Sequence, residues 1–285
     1  MTGRYALFLN RATSASPCQH LQERISTLVT SGEDYKALSL FQKLQDQIPL
    51  DHSLSLYILK ACINLSLLRP AKLLHDQILR YGISIDGLIG NSLITLYARC
   101  GSLDEGQRMF DLLQNRSSVS WSALIGGYVQ HGHSHKAIEI FDEMQYKGLC
   151  LNRSILLSIL KACGSICGIL KGMILHHEII VEGSKYGYGD VVTVVESALL
   201  DMYAKCGCLD EAQKVFDSLP DADVIAWNTL LSGYSRHDEG HQVLIIYQEM
   251  QRNGIKPTKP TFLCVLKACC FLSATEEGKV VHDHM

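Results

Sequence analysis

At 285 residues the chain is long enough for one or two ordinary domains, and 47% of it is apolar. A net charge of −3, with only 19% charged residues, excludes a polybasic, sequence-blind nucleic-acid binder. It leaves open a protein that reads exposed bases along a locally basic groove. No apolar run approaches the ~18–20 residues that a membrane span needs.

Residues 1–17 carry Arg4, Arg11 and several Ser and Thr, and the first acidic side chain is Glu23. That composition suits an organellar transit peptide, with a disordered leader as the alternative. From residue 18 the chain repeats. A small residue is followed four places later by an aromatic or a histidine in Ala37/Phe41, Ala71/His75, Gly106/Phe110, Ala137/Phe141, Gly172/His176, Ala212/Phe216 and Gly278/His282, with Val243/Tyr247 as a looser member. Successive first members are 34, 35, 31, 35, 40, 31 and 35 residues apart. A period in the thirties predicts a solenoid of stacked supersecondary units.

The units run 18–51, 52–86, 87–117, 118–152, 153–192, 193–223, 224–258 and 259–285, the last truncated within its second helix. In 193–223, Val195, Leu199, Met202 and Tyr203 trace one apolar helical face, which Cys206-Gly207 ends. Leu209, Ala212, Val215, Phe216 and Leu219 trace a second, which Pro220 stops. Each unit therefore reads as an antiparallel helix hairpin. The expected fold is all-α: a right-handed superhelical α-solenoid of about seven and a half hairpins.

The small residue lies nine places after a first-helix anchor: Leu28, Cys62, Tyr97, Tyr128, Cys163, Tyr203, Tyr234 or Cys269. A bulky ring on one helix needs a near-absent side chain opposite if the axes are to approach within ~8–10 Å. Val243 opposite Tyr234 breaks that rule, and Asp238 replaces the interhelix glycine there, so this hairpin is expected to be the least regular. The 40-residue step places an insertion near Gly183–Gly189.

Three unit types alternate. Two units carry Trp-Ser-Ala or Trp-Asn-Thr (118–152, 224–258), and three carry Lys-Ala-Cys (52–86, 153–192, 259 onward). Two carry Tyr-Ala-Arg/Lys-Cys-Gly (87–117, 193–223). Of the 11 cysteines, Cys62, Cys163 and Cys269, and likewise Cys100 and Cys206, recur at equivalent places in different units, too far apart to bridge, and read as reduced. Cys62/His75, Cys163/His176 and Cys269/His282 supply two ligand types each, whereas a zinc site needs about four. Packing explains them better than metal. His176-His-Glu178 lacks the cysteine pair of a zinc deaminase, and repeated Lys60, Lys161 and Lys267 suit a solvated helix face.

The segments LYARCGSLDEGQRMFD, LDMYAKCGCLDEAQKVFDSLP, VSWSALIGGYVQHGHSHKAIEIFDEMQYKGL and VIAWNTLLSGY resemble pentatricopeptide repeats. The alternation of lengths resembles the plant subclass built of P, L and S types, here lacking the C-terminal E/DYW region. The tetratricopeptide repeat shares the hairpin, but its Trp-Leu-Gly-Tyr helix pattern is absent.

The resemblance implies single-stranded organellar RNA as partner, read one base per repeat. The organelle is a mitochondrion or a plastid. The implied role is guiding RNA editing or another processing step, with chemistry supplied in trans by an editing deaminase or other editing factor. No enzyme activity, catalytic residue, metal, cofactor, membrane or small-molecule substrate is implied. The base-reading pairs are Asn91/Ser117, Ser122/Asn152, Ser197/Asp223 and Asn228/Thr258. By the family's code they suggest C, A, G and, weakly, a pyrimidine.

Leu88, Val119, Val194 and Ile225 match positions that sandwich the base. Arg99, Lys205 and Arg236 match a phosphate-contacting position, which Gln130 breaks. Leu56, Leu157 and Leu263 stand at the reader position of the Lys-Ala-Cys units, so those units suit spacers. Gln22/Asp51 in the opening unit fits the code poorly. Asn, Ser and Asp at helix starts are also the residues that cap orphan backbone amides. A helical scaffold binding a protein through the same concave groove is the alternative function.

Overall fold

The structure is a computed structural model that describes residues 17–44, 49–182, 192–274 and 279. The leader, the insertion near Gly183–Gly189 and the Gly278/His282 pair therefore lie outside the described residues, apart from Pro17. Among the described residues there are fifteen α-helices and no strand. Helices α1 (Pro17–Thr30), α3 (His52–Leu65), α5 (Leu88–Arg99), α7 (Ser118–Gln130), α9 (Arg153–Ile166), α11 (Val192–Cys206), α13 (Val224–Arg236) and α15 (Lys259–Leu272) are first helices of hairpins. Their partners are α2 (Asp34–Leu44), α4 (Leu68–Arg80), α6 (Leu103–Leu112), α8 (Ser134–Tyr146), α10 (Ile169–Glu182), α12 (Leu209–Ser218) and α14 (Gly240–Arg252). The chain divides into two compact units, up to Gly127 and from Tyr128.

In the first unit α1, α3 and α5 pack side by side, and α2 and α4 each seat against their own first helix and the next one. In the second unit α9, α11, α13 and α15 form the same row, backed by α10, α12 and α14. The core is thus a seam between two helix layers rather than a central cluster. Ala37, Ala71, Ala137 and Ala212 are fully buried in it. A Cβ added to Gly106 would sit 3.6 Å from Tyr97 Cβ, which confirms the small residue opposite the anchor.

The second member of four of the pairs works at a different place: it bridges to an aromatic of the following hairpin. Phe110 meets Trp121 edge-to-face at 4.6 Å between ring centres, and Phe216 meets Trp227 at 4.7 Å. His75 Nδ1 lies 2.8 Å from the Tyr97 hydroxyl, and His176 Nδ1 lies 2.9 Å from that of Tyr203. His75 and His176, the histidines of the first two Lys-Ala-Cys units, are therefore engaged with the anchor tyrosine of the next unit. Burial pushes the Cys62 thiol up to about 12 and that of Cys163 to about 11, so both pack as protonated thiols.

Two contacts went unread in the sequence. A Cβ on Gly127 would fall 2.5 Å from Ala98 Cβ, and one on Gly233 would fall 2.8 Å from Ala204 Cβ. These glycines let neighbouring first helices touch backbone to backbone.

The hairpin of α13 and α14 corrects one expectation. Both helices are regular and Val243 is fully buried. The valine fits because Tyr234 is only half-buried, its hydroxyl 3.5 Å from Gln213 Oε1. Irregularity is confined to the connection, where Asp238 takes φ 61° at a place that Gly101, Gly132 and Gly207 fill at 74–81°.

Candidate nucleic-acid interface

The last residues Asp51, Ser117, Asn152 and Asp223 each stand immediately before the next first helix and cap it, whereas Asp86 accepts instead from Gln114 N at 3.4 Å. Asp51 Oδ1 accepts from Leu54 N at 2.7 Å and Asn152 Oδ1 from Ile155 N at 2.9 Å. Asp223 Oδ1 accepts from Ile225 N and Ala226 N at 3.0 and 2.8 Å, and Ser117 Oγ from Ser120 N at 3.3 Å. A short polar side chain here satisfies amides that have no intrahelical partner. Capping therefore suffices to explain the residue type at all four places.

Capping does not explain the partner one helix back. Asn91, half-buried on α5, donates from Nδ2 to Ser117 Oγ at 3.2 Å. Asn228 on α13 donates to Thr258 Oγ1 at 3.0 Å. Gln22 and Asp51 form the same link, Nε2 to Oδ2 at 3.1 Å, although the pair fits the code poorly. The structure thus joins the members of two predicted pairs side chain to side chain. Ser122 is half-buried on α7, and Ser197 is exposed on α11.

The four predicted sandwich residues share an unusual environment for apolar side chains. Leu88 is 64% exposed, Val119 55%, Val194 41% and Ile225 66%. Each stands one helical turn before its reader, so an apolar face and a hydrogen-bonding group lie side by side. Leu263, at a spacer's reader position, is also exposed, whereas Leu56 and Leu157 are half-buried.

Arg99 and Arg236 are exposed, and Lys205 is held by Asp201 at 2.5 Å. In the second unit these groups converge: Asp201, Lys205, Ile225, Asn228, Arg236 and Pro260 line one groove of about 340 Å³ between α11, α13 and α15. Ala204 and Gly233 form its floor. The groove combines one apolar wall, one amide and two cations, the set a flat base and a phosphate would need. Asp201 escaped the sequence analysis; the signal was its spacing of four from Lys205 on one helix.

A repeat of this kind has known counterparts. The family model described as PPR repeat matches residues 91–118, 119–149 and 197–224, and that described as PPR repeat family matches 222–270. The matched segments are pentatricopeptide repeats. Among curated proteins of Arabidopsis thaliana, the chloroplastic pentatricopeptide repeat-containing protein CRR2 is 35% identical over 92% of this chain and 40% of its own length. The mitochondrial protein At1g06140 is 30% identical over 80% of this chain and 40% of its own. At1g03540 is 36% identical over 78% and 35%. The chain spans about two fifths or less of these relatives. Maize PPR10, crystallised with an 18-nucleotide psaJ RNA element, superposes with a TM-score of 0.72 over 94% of this chain and 40% of its own, at 18% identity, which establishes the shared fold.

Proposed function

We propose that this chain binds single-stranded RNA in a sequence-dependent way inside a plant organelle and guides a processing step on its transcript. The observation that carries this is the hydrogen-bonded pairing of Asn91 with Ser117 and of Asn228 with Thr258, each beside an exposed apolar residue. Caps need no such partner, whereas a base reader needs its amide oriented. The RNA-bound state of PPR10 and the chloroplastic and mitochondrial relatives support the partner and the compartment. The alternating unit types favour the P, L, S subclass, and with it an editing role completed by a deaminase in trans. In this scheme Ser122/Asn152 and Ser197/Asp223 read two further bases, Leu88, Val119, Val194 and Ile225 stack, and Arg99, Lys205 and Arg236 meet phosphate.

Filter binding tests this on RNA selected from a randomised pool. Asn91→Ala and Ser122→Ala should each weaken the selected RNA by about fivefold and leave a scrambled RNA unchanged, one net hydrogen bond being worth about 1 kcal/mol. Equal loss on both RNAs contradicts base reading. A second function, a protein-binding scaffold, is favoured by the exposed Leu170, Met173, Ile174 and Val181 on α10. Absence of binding to every RNA would select it.

A further inference from the structure

Asn228 differs from Asn91 in what holds its oxygen. Thr261, three residues after Thr258, is fully buried in the first turn of α15 and donates its hydroxyl proton to Asn228 Oδ1 at 2.6 Å. Asn228 Nδ2 donates to Thr258 Oγ1 at 3.0 Å, and the two threonine hydroxyls lie 3.2 Å apart. Thr261 has one proton and an amide oxygen can only accept it, so Thr258 is the donor between the hydroxyls. The three side chains close a ring in which each donates to the next, an arrangement that strengthens every member. Thr261 Oγ1 also accepts from Thr258 N at 2.9 Å, which ties the ring to the helix start. At the same place after Ser117, Ser120 turns its hydroxyl to the Ser117 carbonyl at 2.7 Å instead.

We infer that Thr261 is a specificity-determining positioning residue: it pins Asn228 Oδ1 inward, leaves the second Nδ2 hydrogen as the group offered to the groove, and so favours uridine over cytidine there. This rests on the RNA function proposed above. Uracil carries a carbonyl at both ends of its pairing edge, so an outward N–H meets an acceptor at either end. Cytosine replaces one carbonyl by an amino group, which opposes donor to donor. An amide free to rotate would turn its oxygen to that amino group; one held by Thr261 does not.

The test selects short randomised single-stranded RNAs on the full chain and sequences them. Asn228→Ala locates the nucleotide concerned, as the one position whose preference it erases. The wild-type chain should favour uridine over cytidine there by about five- to tenfold, the worth of about one net hydrogen bond. Thr261→Ser keeps the hydroxyl and should keep that ratio. Thr261→Val should bring it to within about twofold, with every other position unchanged.

Thr261→Asp retains an acceptor for the Thr258 amide, and so retains the cap, but has no proton to give. It should turn the amide over and reverse the preference toward cytidine, which keeps the test decisive if the valine variant fails to fold. A ratio unchanged in both the valine and aspartate variants overturns the inference. So does an equal loss at all positions, or a wild-type preference for cytidine or a purine at this nucleotide. A wild-type chain that enriches no sequence refutes RNA reading itself.

Discussion

Asn91 and Ser117 are 26 residues apart in the chain and 3.2 Å apart in space, joined across two successive first helices by an amide-to-hydroxyl hydrogen bond. Ser117 is at once the cap of α7 and the partner of Asn91. Helix capping and base reading are therefore not competing explanations of one residue. The cap fixes the hydroxyl in space, and the fixed hydroxyl orients the Asn91 amide, which on the proposed function is the group that faces a base.

On the proposed function Lys205 would have to leave Asp201, to which it is bound at 2.5 Å, to reach a phosphate. Asp201→Asn should free it. RNA should then bind more tightly at low salt, with a salt slope steeper by about 0.7, the contribution of one single-strand phosphate contact. Binding measured across a salt series checks this.

The contact of Gly233 with Ala204 sets the distance between α11 and α13. Gly233→Val should cost about 1–3 kcal/mol through overpacking, read as a lowered midpoint in chemical denaturation. Ala204→Gly in the same chain should recover part of that loss, because it removes the carbon the new side chain strikes.

Much of this architecture was legible and some was not, for definite reasons. The period was legible because Ala137 and Ala212 have to be small, which leaves a mark at every repeat. The partner of the following ring was not: Phe110 meets Trp121 in the next hairpin, and spacing within one repeat is silent about contacts between repeats. Gly127 and Gly233 carried a usable signal, each lying six residues after its Trp. The reader positions came from resemblance. The ring through Thr261 depends on hydroxyl orientation, which no spacing encodes.

Asp238 holds a left-handed conformation that costs a non-glycine residue about 1 kcal/mol. Asp238→Gly should raise stability by about 0.5–1 kcal/mol, since the exposed 3.5 Å ion pair it gives up with Lys267 is weak. Thermal unfolding reads this directly.

The His–Tyr contacts make stability depend on pH at both ends. Burial lowers the pKa of His75 and His176, against a smaller upward effect of Asp76 on His75. Below the ordinary imidazole value of 6.5 the unfolded chain binds protons that the folded chain refuses, so stability falls as pH drops through that value. Burial, chiefly, pushes Tyr97 and Tyr203 up to about 12. Their contribution is complete below pH 10 and is lost as pH rises from 10 toward 12. Tyr97→Phe should cost about 1–3 kcal/mol by leaving His75 Nδ1 without its partner. Denaturation midpoints from pH 5 to 8 check the acid limb.

Exchanging one pair tests the proposed base reading most directly. Asn91→Ser together with Ser117→Asn reproduces the combination at Ser122 and Asn152, and keeps a capping residue before α7. Randomised RNA selected on wild-type and exchanged chains should yield motifs that differ at a single nucleotide, moving from cytidine to adenosine, with affinity for each chain's own motif within about threefold. Identical motifs from the two chains, or a uniform loss of affinity at every position, would contradict reading by these pairs.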